Sequence, residues 1–266
     1  MVGILREIRF KPAMHTISMP ESNENEYLKK ASKGAAVIFF GLIISSFLGY
    51  LTRLVIVRFY GVEDYGIFSL GNAIVGIAVA VSMFGMQESI ARFISFYLGR
   101  KNLKGVIGVI LSSLRLTVPV SVLISILVTA FSYQISLGFF NEPRLHPILW
   151  IFALMIPLSV LLTNLVSGLR GLQQMKYKVY TEDILKSIST LVFVVIFFFL
   201  GLGIAGILYA YLAGFVFAVP LAFLYLRKSL PKPRRRFGKI PFDREFLSFS
   251  LPLVLAVYIK MIISWT

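Results

Sequence analysis

Residues 49–101 read GYLTRLVIVRFYGVEDYGIFSLGNAIVGIAVAVSMFGMQESIARFISFYLGRK, and the fold follows from this stretch. It joins the end of one apolar run, the loop Tyr60-Gly61-Val62-Glu63-Asp64-Tyr65-Gly66, and a second apolar run that closes on Arg100 and Lys101. As one helix, Gly66 to Tyr97 would extend about 50 Å at about 1.5 Å per residue, against a hydrocarbon core of about 30 Å. It must tilt, project or break, and Gly85 is the expected break. Arg53, Arg58, Glu88 and Arg92 lie in or beside these runs. A charge at bilayer depth costs about 3 kcal/mol on insertion scales, so each of them calls for a physical reason.

Composition agrees with a bilayer reading. Hydrophobic residues make up 58% and charged residues 15%, and the mean hydropathy is +0.84. No soluble domain has this balance. The absence of cysteine excludes a disulfide framework and a thiolate metal site. The formal net charge of +15 has two readings, nucleic-acid binding or cytoplasmic loops under the positive-inside rule, and its placement decides between them.

A membrane-spanning helix needs about 20 apolar residues. Ala35–Val57, Ile67–Phe96, Val106–Phe131, Ile148–Ser167, Ile204–Leu226 and Phe246–Trp265 pass, and the shorter Ile184–Leu200 also qualifies. The chain therefore reads as an all-α polytopic membrane protein with about seven transmembrane helices, and Gly201-Leu202-Gly203 forces an antiparallel hairpin between the fifth and sixth. With loops alternating in side, twenty Lys and Arg fall on one side and only Arg58 and Arg144 on the other. That asymmetry puts the N-terminus in the cytoplasm and explains the basic charge by topology. The expected domains are a cytoplasmic tail at 1–33, a six-helix lobe at 34–227, a basic linker at 228–245, and at 246–266 the first helix of a second, truncated lobe.

The linker run Arg227 to Lys239 carries one aromatic, Phe237, and so lacks the stacking platform of a nucleic-acid site; contact with anionic lipid suits it better. The histidines, His15 and His146, are far apart and have no Cys or carboxylate partners, which leaves no metal site, no cofactor site and no catalytic constellation. Glu182 and Asp183 lie four and three residues before Lys186, a spacing that predicts an interfacial salt bridge.

The polar content of the spans is more telling. Gly41, Ser45, Gly49 and Thr52 share one face of the first helix, a small-residue stripe that lets helices approach closely. Gly108, Ser112, Arg115 and Pro119 repeat the device in the third, and Pro157, Asn164, Ser167 and Gly168 make an uncharged line in the fourth. The seams of the first and third helices are expected to face each other or a shared cavity. Glu88 and Arg92, four residues apart, form either an interfacial pair or the lining of an inner vestibule in which Glu88 orients Arg92. The candidate cavity residues are Arg53, Glu88, Arg92, Arg115 and Lys260, the last about 18 Å into the seventh helix.

The order of Arg58, Gly61-Val62-Glu63-Asp64-Tyr65-Gly66, Phe84-Gly85-Met86-Gln87 and Ile90-Ala91-Arg92-Phe93-Ile94 resembles the start of the polysaccharide (O-antigen type) flippases of the multidrug/oligosaccharidyl-lipid/polysaccharide (MOP) superfamily. Leu169-Arg170-Gly171-Leu172-Gln173 with Tyr177, and Phe249-Ser250-Leu251-Pro252-Leu253, carry the resemblance further, over about residues 29–266. It implies a transporter of twelve to fourteen helices in two lobes, of which this chain is the N-terminal half, joined by a second lobe or a copy of itself. It also implies a cargo: a glycan on an anionic polyprenyl phosphate or pyrophosphate, moved across the cell membrane by alternating access. An excess of buried Arg and Lys over a lone Glu88 suits such a head group. A cation antiporter of the multidrug branch is the alternative, together with a non-transporting scaffold or inactive fragment.

Overall fold

The computed structural model describes residues 21–230, with the backbone alone for 21–35 and 37. The tail before residue 21, the linker from 231, the span Phe246–Trp265 and Lys260 lie outside the described residues. The chain divides into two units, 1–36 and 37–266, and the packing described below is that within the second.

Among the described residues the chain is helical with no strand: α1 Glu21–Tyr60, α2 Val62–Met83, α3 Met86–Gly99, α4 Leu103–Ala130, α5 Leu149–Gly171, α6 Met175–Lys178, α7 Lys186–Phe199 and α8 Gly203–Ser229. Two π-helical segments, Gln134–Phe139 and Val179–Leu185, and a 3₁₀ turn, Pro143–Ile148, complete it. Among the described residues five stretches are long and apolar enough to cross a membrane: Ile38–Tyr60, Val62–Met83, Leu103–Ala130, Pro143–Gly171 and Gly203–Ser229. The fifth expected span differs. Its α-helical part, α7, has 14 residues, because the segment leading into it is wound as π-helix.

The long second run breaks where its length required. Phe84 and Gly85 both adopt left-handed backbone, φ 45° and 63°, and α3 starts afresh at Met86. The α7–α8 hairpin turns on Gly201 and Gly203, φ 69° and 54°, values glycine adopts without steric penalty.

α5 is the centre of the lobe. Of its apolar window 61% is buried, against 17–39% for the other spans, and α2, α3, α4 and α8 all pack on it. Phe152, Met155, Ile156, Val160, Leu165 and Leu169 supply its buried face. Lipid tails are as apolar as leucine, so close packing and polar contacts hold such helices together. Gly71 of α2 leaves room for the Phe152 ring, and Gly41 of α1 lies against Val179. Pro157 removes the N–H that would bond the carbonyl of Ala153; Ser125 of α4 donates to that carbonyl instead, at 2.7 Å. Asn164, 3% exposed, donates through Nδ2 to Thr117 Oγ1 at 2.9 Å and to Val160 O at 2.8 Å, tying α4 to α5. The opposite faces of α1, α4 and α8 present Phe47, Leu123, Ile126 and Phe223 outward, as lipid contact requires.

Candidate functional site

The small-residue stripe of α1 makes a close approach at Gly41, against Val179, and borders a cavity over the rest of its length. Ser45, Gly49 and Thr52 line a cavity of about 290 Å³ completed by Glu182 and Asp183, by Lys186, Ser187 and Thr190 of α7, and by Tyr211 of α8. Space stands open beside Gly49 on the α1 side, while Gly214 of α8 lets Thr190 and the backbone of Lys186 in α7 close in. The Lys186 ammonium lies 4.3 Å from the centre of the Phe215 ring, a cation–π contact. At membrane depth such a cavity can hold water or a polar group that the surrounding lipid cannot.

The seam of α4 does not share it. No α4 residue lines the cavity, since α1 faces the π segment, α7 and α8, whereas α4 packs on α2, α3 and α5. Gly108 and Ser112 are buried in that packing, while Arg115, further along the same face, is exposed.

The carboxylates have partners beyond those their spacing suggested. Glu88 takes Arg170 of α5, which donates through Nη1 at 3.3 Å and through Nη2 at 3.2 and 3.1 Å. The pair runs between helices, from the first turn of α3 to the last turn of α5. Its side chains are 34% and 53% exposed, so it contributes about 0–1 kcal/mol and works mainly as a geometric clasp. Glu182 and Asp183 go to Lys178, at 3.5 and 2.8 Å, and not to Lys186. Five residues separate Lys178 from Asp183, a spacing that meets on a π-helix and escapes a search at three and four. Arg144 bridges Glu63 at 3.4 Å and also Asp64, which joins the α1–α2 and α4–α5 connections at one end of the lobe.

Every carboxylate whose side chain is described is thus engaged, Glu142 by the backbone N–H of Arg144. Arg53, Arg58 and Arg115 have no carboxylate partner among the described residues. Of the sequence candidates, Arg53 is exposed beside cavity-lining Thr52, while Glu88 and Arg92 are exposed on α3 and Arg115 on α4. None of these four lines the cavity. Sequence reasoning missed Lys178, Arg170 and Tyr211 as members of this arrangement; the four-residue spacing of Lys178 to Glu182 was the one local signal available.

The polysaccharide biosynthesis protein family matches residues 31–266. The chain belongs to that family. Among curated relatives of this polysaccharide biosynthesis protein is the stage V sporulation protein B of Bacillus subtilis (strain 168), 24% identical over 234 residues, covering 83% of this chain and 45% of the relative. Among solved structures, a multidrug resistance MATE family transporter of the MOP superfamily, in its outward-facing conformation, superposes with a TM-score of 0.67 at 17% identity, covering 83% of this chain and 50% of that one. The family member described here therefore shares the fold of about half of that transporter. It spans about half the length of both relatives.

Proposed function

We propose that this chain is the N-terminal lobe of a MOP-type flippase, a transporter and not an enzyme. Its cargo is a glycan linked to polyprenyl phosphate or pyrophosphate, carried from the inner to the outer leaflet of the cell membrane by alternating access. On this reading residues 34–227 are the first lobe, 228–245 the linker, and 246–266 the start of a second lobe or the docking element for a copy. The observation that carries it, beside family membership, is the charge balance among the described residues: the carboxylates are engaged, while Arg53 and Arg115 keep their positive potential. Guanidinium forks bind phosphate bidentately and release it when water returns, which suits a cargo that must be captured and let go. Arg53, Arg92, Arg115 and Lys260 supply the path, with Arg92 at the inner entrance. A cation antiporter would need an uncommitted carboxylate, so the same balance argues against the multidrug branch.

Expression of the complete gene in a flippase-deficient strain should restore export of the glycan without raising resistance to cationic drugs. Drug resistance without glycan export would reverse the assignment. Orientation has its own test, because the chain contains no cysteine. Single cysteines at Glu63 and Lys232 should react with an impermeant maleimide from opposite sides, the first from outside; labelling from one side only contradicts a cytoplasmic N-terminus.

A further inference from the structure

We propose that α2 and α3 form a two-state element, in which the break at Phe84–Gly85 heals into one continuous helix as α3 swings away from α5. The inference stands on the break itself and holds whatever the cargo is.

The broken state carries costs inside the lobe. Phe84 is a bulky residue held at φ 45°, a region L side chains with a Cβ adopt at a steric penalty. A helix that starts anew at Met86 leaves its first amides without intrahelical acceptors, and no side chain caps them. Two buried polar atoms nearby have no partner: Ser89 Oγ, in the first turns of α3, and Asn164 Oδ1, whose amide nitrogen meets Met83 Sδ at 3.4 Å. Ser89 differs from several helical hydroxyls of the chain. Ser69 and Ser82 of α2, and Thr117, Thr163 and Thr190 elsewhere, each bond the carbonyl four residues back at 2.7–2.8 Å. Undocking α3 would open Ser89 to water, and a right-handed Phe84–Gly85 would return the missing helix hydrogen bonds.

Opposing contacts hold α3 down. Glu88 is clasped by Arg170, Ser95 donates to the carbonyl of Gly171 at 2.9 Å, and Gly171 gives Ile94 a close seat, 2.6 Å from where a Cβ would stand. The clasp is partly exposed and lies between the ends of α3 and α5, so its loss does not require opening the core. Strain within and a releasable clasp at the rim are the parts of a bistable hinge.

Spin labels on cysteines at Gly76 and Gly99, both with open space for a side chain, report the geometry in lipid nanodiscs by pulsed dipolar spectroscopy. A continuous helix separates them by about 35 Å, at about 1.5 Å per residue. The native protein should show that distance together with a shorter one. Gly85→Ala, which makes the left-handed turn costly, should raise the long-to-short ratio roughly tenfold. Glu88→Gln should raise it too, and Phe84→Gly should lower it. A single distance that is the same in the native protein, in Gly85→Ala and in Glu88→Gln overturns the proposal. Glu88→Gln, an exposed isosteric change, keeps the test decisive if Gly85→Ala fails to fold.

Discussion

Replacing Gly71 with valine should destabilise the lobe more than any other single change on α2. The Phe152 ring, fully buried at the centre of α5, occupies the space that a side chain at residue 71 would need. Neither α2 nor α5 can retreat without opening contacts that lipid replaces poorly, because helix association in a bilayer rests on close packing. Overpacking costs about 1–3 kcal/mol and sometimes more, which lowers a melting midpoint by about 2–4 °C per kcal/mol in a chain of this size. Phe152→Leu, harmful alone, should recover part of the loss in the double variant, with a coupling above about 0.5 kcal/mol. Gly76→Val, exposed and one to two turns along the same helix, should leave the midpoint nearly unchanged. Equal midpoints for Gly71→Val and Gly76→Val would mean that α2 does not dock on α5 as described.

The second large effect concerns Arg92. If it receives a phosphate at the inner entrance, transport should fall in the order Arg, Lys, Gln, since lysine keeps the charge and loses the bidentate fork while glutamine loses both. A charge-assisted hydrogen bond is worth about 1.5–3 kcal/mol, so Arg92→Gln should slow transport roughly ten- to a hundredfold at equal protein level. Arg115→Gln and Arg53→Gln should act in the same direction. The structural control is a different pair. Glu88 is clasped by Arg170, so Glu88→Gln and Arg170→Gln should lower abundance by similar, small amounts, with no preference for lysine at residue 170 beyond charge. Full transport by a chain carrying both Arg92→Gln and Arg115→Gln would remove the case for an anionic cargo.

Much of the architecture was legible because bilayer physics is a length rule. Apolar runs had to be about 20 residues, and a run that would reach about 50 Å had to yield at its glycine, as it does at Gly85. The stripe Gly41, Ser45, Gly49 and Thr52 announced a face without bulk, which lies close to Val179 at Gly41 and borders the cavity beyond it. What the stripe approaches was not legible. A periodicity names a face and says nothing of its partner, so the cavity with Tyr211 and Lys186 and the separate course of the α4 seam needed three dimensions. Some partners were hidden for a related reason: Glu88 meets Arg170, 82 residues away, and a π-helical register brings Lys178 to Asp183.

Transbilayer movement of the cargo tests the central claim most directly. The complete protein is reconstituted into liposomes containing a fluorescent oligosaccharide on polyprenyl pyrophosphate, and an impermeant oxidant of the glycan is added outside. Flipping predicts that the fraction of glycan open to the oxidant rises from about half towards all of it, that Arg92→Gln slows the rise, and that a neutral polyprenyl glycoside lacking phosphate is not carried. A protected half that stays protected with the native protein, or equal rates for the pyrophosphate and the neutral glycoside, would contradict the account.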